Sequence, residues 1–221
     1  MISIVKSMSL HGLDGYPIEV QVDVSAGLPC FEIVGLPDAS IRESKERVKT
    51  AIKNSGYEFQ SRRIVVNLAP ANTKKEGSYL DLPIAIAILL NLEEIQKQEI
   101  HDTIFIGELS LNGKLNKING VLPICIEARR LGVKRVILPY ENSNEAAIVD
   151  GIDVIGAKTL TEVVNYLNGI MEISPNKINA KTYFNQNNKY NLDFSEVKGQ
   201  ENIKRALEIS AAGGHNCLLI R

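Results

Sequence analysis

The chain has 221 residues, of which 44% are hydrophobic and 23% charged, values that suffice for a globular protein with a substantial core. Its formal net charge of −1 excludes a global electrostatic attraction to nucleic acid or to an anionic membrane. Three isolated cysteines, Cys30, Cys125 and Cys217, exclude a disulfide framework and a C-x-x-C zinc site.

No segment has the character of a leader or a membrane span. The longest apolar run, Leu82 to Leu90, is far shorter than the roughly 20 residues that cross a bilayer. The first residues alternate in polarity and carry Lys6, which is unlike a secretory signal. We therefore expect a cytoplasmic protein in a reducing compartment.

Strands dominate the first third of the predicted structure. Alternating or apolar runs predict strands at Ile2–Leu10, Ile18–Val24, Cys30–Val34 and Ile64–Leu68. A helix is predicted from Asp38, as its N-cap, to about Asn54, with Gly56 just past its end.

A polar loop and a buried helix follow. The loop Pro70–Tyr79 leads to a helix with Asp81 as the predicted N-cap and Pro83 in the first turn, where a missing N–H costs little. This helix is apolar on nearly every side, so we expect it to be buried.

Strands and helices alternate in the rest of the first block. A hairpin, Thr103–Leu111 and Lys114–Ile118, is predicted around Asn112-Gly113 as a type I′ turn. The elements predicted after it are helix Val121–Leu131, strand Arg135–Leu138, helix Asn142–Val149, strand Asp153–Ile155 and helix Leu160–Leu167. The order predicts an α+β (mixed α/β) fold.

The last fifty residues change in character. Residues 170–191 are rich in asparagine and predict a linker. A helix at Gln200–Ala212 closes on Gly213-Gly214, and an apolar strand, Cys217–Ile220, is predicted next. In P-loop ATPases such a strand runs into a phosphate-binding G-x-x-x-x-G-K-S/T loop, a motif that does not occur in these 221 residues.

The loop before the buried helix is the candidate site that the residues themselves suggest. One hypothesis is nucleophilic catalysis by Ser78, with a lysine as the base; the loop carries Lys74 and Lys75. The alternative is a capped helix start, in which Ser78 and Asp81 compete for the cap and the charges are solvated. The histidines are too dispersed for a metal site, and paired basic residues such as Arg62-Arg63 predict solvated surface.

Four segments, in the same order along the chain as in the family, resemble the YifB/ComM family of magnesium-chelatase-like AAA+ ATPases. They are GLPDASIRESKERVKTAI, VNLAPANTKKEGSYLDLPIAIAIL, GELSLNGKLNKINGVLPI and VKGQENIKRALEISAAGGHNCLLI. The resemblance implies a domain at 1–169 like the C-terminal proteolytic domain of Lon, with the ribosomal-protein domain-2-like fold. It further implies a linker at 170–191 and the start of an AAA+ module at 192–221.

The same resemblance implies what the full-length family uses and does. Its cofactors are ATP and Mg²⁺, and its partners are its own AAA+ domain, the other subunits of a homo-hexameric ring, and DNA. ComM members drive DNA branch migration in natural transformation. Only the family's name suggests magnesium insertion into a porphyrin, and no residue of this chain supports it.

The resemblance also assigns the catalytic positions of Lon. The segment KKEGSYLD is similar to the serine segment of Lon and places Tyr79 at the serine position, with Ser78 one residue early. GKLNKINGVLPI is similar to the lysine segment and places Leu122 at the lysine. Because leucine cannot act as a base, we expect no peptidase activity and assign no catalytic residue.

Val197, Gly199 and Gln200 resemble the segment beside the adenine in AAA+ proteins. The family continues after GGHN and a strand into G-P-P-G-x-G-K-S/T, whereas Arg221 stands at the first of these glycines. We therefore expect this chain to be an interaction or assembly module without ATPase activity or bound cofactor of its own. A Ser-Lys peptidase using Ser78 and a stand-alone nucleotide-binding protein remain the alternatives.

Overall fold

A computed structural model describes residues 2–59, 62–75, 77–96, 100–178 and 193–220. It divides into two compact units, residues 1–178 and 179–221. The strands of the first unit are β1 (Ile2–His11), β2 (Asp14–Ser25), β3 (Cys30–Val34), β4 (Arg63–Ala69), β5 (Thr103–Phe105), β6 (Glu108–Leu109), β7 (Leu115–Asn116), β8 (Arg135–Pro139) and β9 (Asp153–Ala157). Its helices are α1 (Ala39–Asn54), α2 (Asp81–Asn91), α3 (Val121–Arg130), α4 (Ser143–Ala146) and α5 (Leu160–Leu167).

One seven-stranded sheet, in the order β3-β4-β2-β1-β5-β8-β9, organises the first unit. The pairs β1–β2 and β2–β4 are antiparallel, whereas β3–β4, β1–β5, β5–β8 and β8–β9 are parallel. Strands β6 and β7 form a separate antiparallel pair. This mixed sheet with helices confirms the predicted α+β (mixed α/β) class.

Both faces of the sheet are covered, as a sheet with parallel strands requires. On β8 and β9, Ile137 and Ile155 belong to a core cluster with α1, α2 and α5. Their neighbours Val136 and Val154 belong to a second cluster with α3. Cys125 lies in this second cluster with no exposed surface, and burial raises the pKa of its thiol to about 12.

Helix α1 begins as the sequence predicts. The Asp38 carboxylate accepts a hydrogen bond of 2.8 Å from the N–H of Ile41, which is an N-cap contact. Helix α5 has the predicted bounds, with Thr159 as its cap. The buried helix α2 is confirmed, since ten of its eleven residues are buried.

Four local predictions in the first unit were wrong. The predicted hairpin arm Thr103–Leu111 divides into β5, which joins the seven-stranded sheet, and β6, which pairs with β7. Asp81 does not cap α2: Leu80 holds the N-cap position, and the Asp81 side chain is fully buried. The helix predicted at 142–149 shortens to α4 after a 3-10 turn, Tyr140–Asn142. The hairpin turn is not type I′, because only Gly113 has a positive φ, 79°. The Gly113 N–H bonds to Ser110 at 2.9 Å, which makes a type I turn followed by a glycine bulge.

The second unit, described from residue 193 to 220, contains a 3-10 turn, Phe194–Glu196, and helix α6 (Glu201–Gly213). Helix α6 matches the predicted Gln200–Ala212 to within a residue, and Gly214 ends it in the left-handed region. The strand predicted at 217–220 is absent, because residues 193–220 provide no neighbouring strand for it to pair with. Cys217 is exposed in this stretch.

The predicted linker, 170–191, is described only as far as residue 178. Asn176 packs against β9, where its N–H donates to Val154 at 2.8 Å, and the first unit extends to Ile178. The rest of the linker and residue 192 lie outside the described residues, so the division at 169 and 191 stays a prediction. No helix among the described residues is long and apolar enough to cross a bilayer.

Candidate functional site

The loop between β4 and α2, which the sequence singles out, is anchored to the start of α1. The N–H of Lys75 donates to Leu36 at 3.2 Å, and the Lys75 carbonyl accepts from Asp38 at 3.1 Å. The Asp38 carboxylate also accepts from the N–H of Gly77 at 3.1 Å. One side chain therefore binds both the first turn of α1 and the middle of this loop.

Lys75, one of the two candidate bases, has no exposed surface. Its ammonium donates to the carbonyl of Pro70, and burial lowers its pKa. Because this buried lysine binds a backbone carbonyl of its own loop, its role is to stabilise the conformation of the loop. The backbone of the other candidate, Lys74, accepts a hydrogen bond of 2.9 Å from Tyr16.

The Ser78 hydroxyl is engaged by an acid that the sequence did not point to. It donates to the carboxylate of Glu108 on β6, and Asn116 on β7 donates to the same carboxylate at 3.1 Å. Burial raises the pKa of Glu108, but these two hydrogen bonds and the charge of Arg47 outweigh it, so the pKa lies below its usual value. A carboxylate of lowered pKa is a weak base for activating a serine.

Tyr79, at the position that the resemblance assigns to the catalytic serine, points into the protein. Its phenol shares a hydrogen bond of 2.6 Å with the hydroxyl of Ser9, a residue with no exposed surface. Burial raises the pKa of the phenol. Gly77 has a φ of 92°, and a Cβ there would stand 2.6 Å from the Tyr79 ring, so only glycine fits against the tyrosine.

Leu122, at the position assigned to the catalytic lysine, lies in the first turn of α3. Its N–H donates to the Glu145 carboxylate at 3.1 Å, and its side chain is half-buried. Leu122 and Tyr79 both pack against the second core cluster, as does Leu10. The fold thus brings the two positions to one cluster and fills the region with apolar and aromatic side chains.

A buried ion pair fixes the start of α2. The Asp81 carboxylate accepts two hydrogen bonds from the Arg47 guanidinium, at 2.8 and 3.1 Å, and one from the N–H of Leu109 at 3.2 Å. Burial raises the pKa of Asp81, and the bonds from Arg47 and Ser44 oppose that rise. Arg47 also lies 3.8 Å from the carboxylate of Glu43, one turn earlier on α1.

In the second unit, the three residues predicted near an adenine precede α6. Val197 follows the 3-10 turn and is 42% exposed. Gly199 and Gln200 have φ values of 71° and 61°, so the chain turns through two left-handed residues before the helix. Their role beside a nucleotide stays a prediction.

Neither a phosphate loop nor a metal site accompanies them within this stretch of chain. The 221 residues contain no G-x-x-x-x-G-K-S/T, and the described residues hold no group of three His, Cys, Asp or Glu that could bind a metal ion. The residues present therefore do not fit ATP and Mg²⁺ as a complete site.

Comparison with known proteins defines the class. The family model "Subunit ChlI of Mg-chelatase" matches residues 20–142, and "Magnesium chelatase, subunit ChlI" matches residues 193–221. The chain belongs to this family of magnesium-chelatase-like AAA+ ATPases.

Within it, the similarity is to YifB and ComM. The chain is 39% identical over 220 residues to the uncharacterized protein YifB of Escherichia coli, covering 99% of this chain and 42% of YifB. It is 36% identical over 220 residues to competence protein ComM of Haemophilus influenzae, covering 99% and 43%. Lon protease 2 of Bacillus subtilis is 31% identical over 183 residues, covering 74% and 32%. The chain thus spans less than half the length of YifB and ComM.

Proposed function

We propose that this chain acts as the N-terminal, non-proteolytic interaction and assembly domain of a magnesium-chelatase-like AAA+ ATPase. The observation that carries the proposal is that Tyr79 and Leu122, which the resemblance assigns to the catalytic positions of Lon, both pack against one apolar cluster. A domain that keeps the fold and loses the nucleophile and its base is suited to binding or positioning rather than to cleavage.

The engagement of Ser78 supports the absence of peptidase activity. Its hydroxyl donates to Glu108, and the Lys75 ammonium is directed to Pro70 within the same loop. A fluorophosphonate probe should therefore leave Ser78 unlabelled, and casein should remain intact after prolonged incubation. Labelling that disappears in Ser78→Ala would overturn this part of the proposal.

The activity of the longer protein is proposed by similarity. A relative is named a competence protein, and the family's ATPase module requires ATP and Mg²⁺. We infer that the full-length protein is a cytoplasmic, ring-forming motor, with six subunits, that remodels DNA by ATP-driven branch migration. The first unit would bind neighbouring subunits or DNA, and Val197, Gly199 and Gln200 would lie beside the adenine.

Two measurements test this assignment. The intact mass of the protein made by the native host should be well above 24.4 kDa, since the relatives are more than twice as long. That longer protein should move a labelled Holliday junction only in the presence of ATP and Mg²⁺. Calorimetry of the 221-residue chain with ATP and Mg²⁺ should show no binding; heat of binding would favour a stand-alone nucleotide-binding protein instead.

A further inference from the structure

A basic groove on the first unit lies between α1 and β3, and its lining includes neither Tyr79 nor Leu122. The groove encloses a cavity of about 230 Å³. We define the α1–β3 groove by the lining residues Phe31, Lys45, Lys49, Lys53, Phe59 and Arg62. Strand β3 is at the edge of the sheet, so the groove opens at the sheet's border.

The charge of the groove differs from that of the chain as a whole. Four cations and a single anion, Glu46, line it, whereas the whole chain carries a net charge of −1. The four cationic side chains are exposed, and none has an ion-pair partner within the part of the chain that the structure describes. Unpaired cations in a concave surface concentrate positive potential.

The lysines form a regular row. Lys45, Lys49 and Lys53 follow one another at four-residue intervals on α1, so their Cα atoms are about 6 Å apart along the helix axis. The residues of α1 that pack into the core, such as Val48 and Ala51, lie on a different side of the helix, and the three lysines are exposed to solvent. A rigid row of evenly spaced cations matches a ligand with evenly spaced anions, such as a phosphodiester backbone.

Aromatic rings lie beside the row. Phe31 and Phe59 stack with their ring centroids 6.3 Å apart and an angle of 23° between their planes. Both rings are half-buried and line the groove. Exposed ring surface next to cations is the combination that single-stranded nucleic acids use, because unpaired bases stack on aromatic faces while the phosphates meet Lys and Arg. A duplex has no free base faces to offer to such rings.

We propose that the α1–β3 groove binds single-stranded nucleic acid, with the lysine row on the phosphates and the Phe31–Phe59 pair against a base. The inference rests on the proposed DNA-remodelling function only for the choice of DNA over RNA. An acidic protein segment would use the lysines without needing the rings, so the rings decide between the two kinds of ligand.

The test is fluorescence anisotropy of a labelled thymidine oligonucleotide with the 221-residue chain. The groove variant combines Lys45→Glu, Lys49→Glu and Lys53→Glu. The matched control variant reverses three exposed cations elsewhere in the same unit, through Lys117→Glu, Arg129→Glu and Lys177→Glu. We expect the groove variant to bind at least about tenfold more weakly at low salt, and the control to change less than about twofold. The slope of log K against log salt should shrink by about 2 in the groove variant, at roughly 0.7 for each phosphate that the lysines no longer neutralise.

A separate substitution tests the contribution of the aromatic rings. Phe59→Leu keeps the charge and should weaken oligonucleotide binding about fivefold or more, since the base can no longer stack on that aromatic face. It should leave binding of polyglutamate, used as a competitor, unchanged. Circular dichroism and urea unfolding confirm that each variant is folded.

The outcomes separate the alternatives. No binding by the parent chain, or an equal loss of affinity in the groove and control variants, overturns the proposal. Polyglutamate that competes as well as the oligonucleotide, together with no effect of Phe59→Leu, identifies an acidic protein ligand and also overturns it. If the full-length protein migrates junctions while the groove variant binds normally, only the groove inference fails; if it acts on no DNA, the proposed function fails independently.

Discussion

Helices α2 and α6 meet their surroundings in opposite ways. Ten of the eleven residues of α2 are buried, whereas none of the thirteen residues of α6 is. Helix α6 exposes 41% of Ile203 and 52% of Ile209. A helix of this length is marginal in water without tertiary packing. The packing that stabilises the described residues is therefore concentrated in the first unit.

The largest expected effect comes from the ion pair at the start of α2. Arg47→Leu leaves the Asp81 carboxylate buried and unpaired, and breaking such a pair costs about 3–5 kcal/mol. Urea unfolding followed by circular dichroism measures the loss of stability. Arg42→Leu, an exposed position on the same helix, serves as the control and should change stability by less than about 0.5 kcal/mol.

The loss of stability in Arg47→Leu should depend on pH. Burial makes the pKa of Asp81 higher in the folded than in the unfolded chain, so the folded protein gains protons first as pH falls and becomes relatively more stable. Removing Arg47 removes the bond that restrains this rise. The stability deficit of Arg47→Leu should therefore be greatest near pH 7 and shrink toward pH 5; a deficit that grows on acidification would contradict this explanation.

The contrast between the two helices can be tested directly with one substitution in each. Ile86→Ala in α2 empties a fully buried site and should cost about 2–5 kcal/mol. Ile209→Ala in α6 removes a half-exposed side chain and should cost within about 0.5 kcal/mol. Equal losses of stability, measured by urea unfolding, would show that α6 is packed as tightly as α2.

A smaller effect is expected at Tyr79, which the resemblance assigns to the serine position of Lon. Tyr79→Phe removes the partner of the buried Ser9 hydroxyl, and an unsatisfied buried group costs about 1–3 kcal/mol. Tyr140→Phe is the control, because Tyr140 is 56% exposed. If thermal melts find the two variants alike, Tyr79 does not stabilise the fold through this bond.

The smallest of these effects concerns Asp38, which caps α1 and binds the loop. Asp38→Ala should cost about 0.5–2 kcal/mol, the usual range for an N-cap. Asp38→Asn keeps one acceptor and should recover part of that stability. Hydrogen exchange should quicken at the amides of Ile41 and Gly77, and unchanged exchange would show that the cap contributes little.

Local signals predicted the fold well where they act within a few residues. Asp38 and Thr159 each bond to an N–H three residues on, and the predicted α1 and α5 agree with the structure. The turn type at Asn112-Gly113 was predicted wrongly because the Ser110 carbonyl accepts from the N–H of Gly113, which closes a turn over residues 110–113 instead of one centred on Asn112-Gly113. The helix predicted at 142–149 was too long, because apolar residues alone do not show where a helix ends.

The candidate site was predictable only in part, because its bonds join distant residues. Arg47 and Asp81 are 34 positions apart, and Ser78 and Glu108 are 30 apart. A polar residue at a helix start favours a cap on local grounds, so Asp81 was assigned that role. The α1–β3 groove was missed because Phe31 and Phe59 approach the lysine row only through the fold.

The three thiols differ in a way that makes this protein convenient to label. Cys125 is buried among apolar side chains with its pKa raised to about 12, and thiolates rather than thiols attack electrophiles. Cys217 is exposed, and Cys30, beside the α1–β3 groove, is half-buried. A maleimide dye added to the native protein therefore reaches the second unit first and leaves the interior untouched. With Cys30 replaced by serine, a single fluorophore at Cys217 would report on the second unit alone.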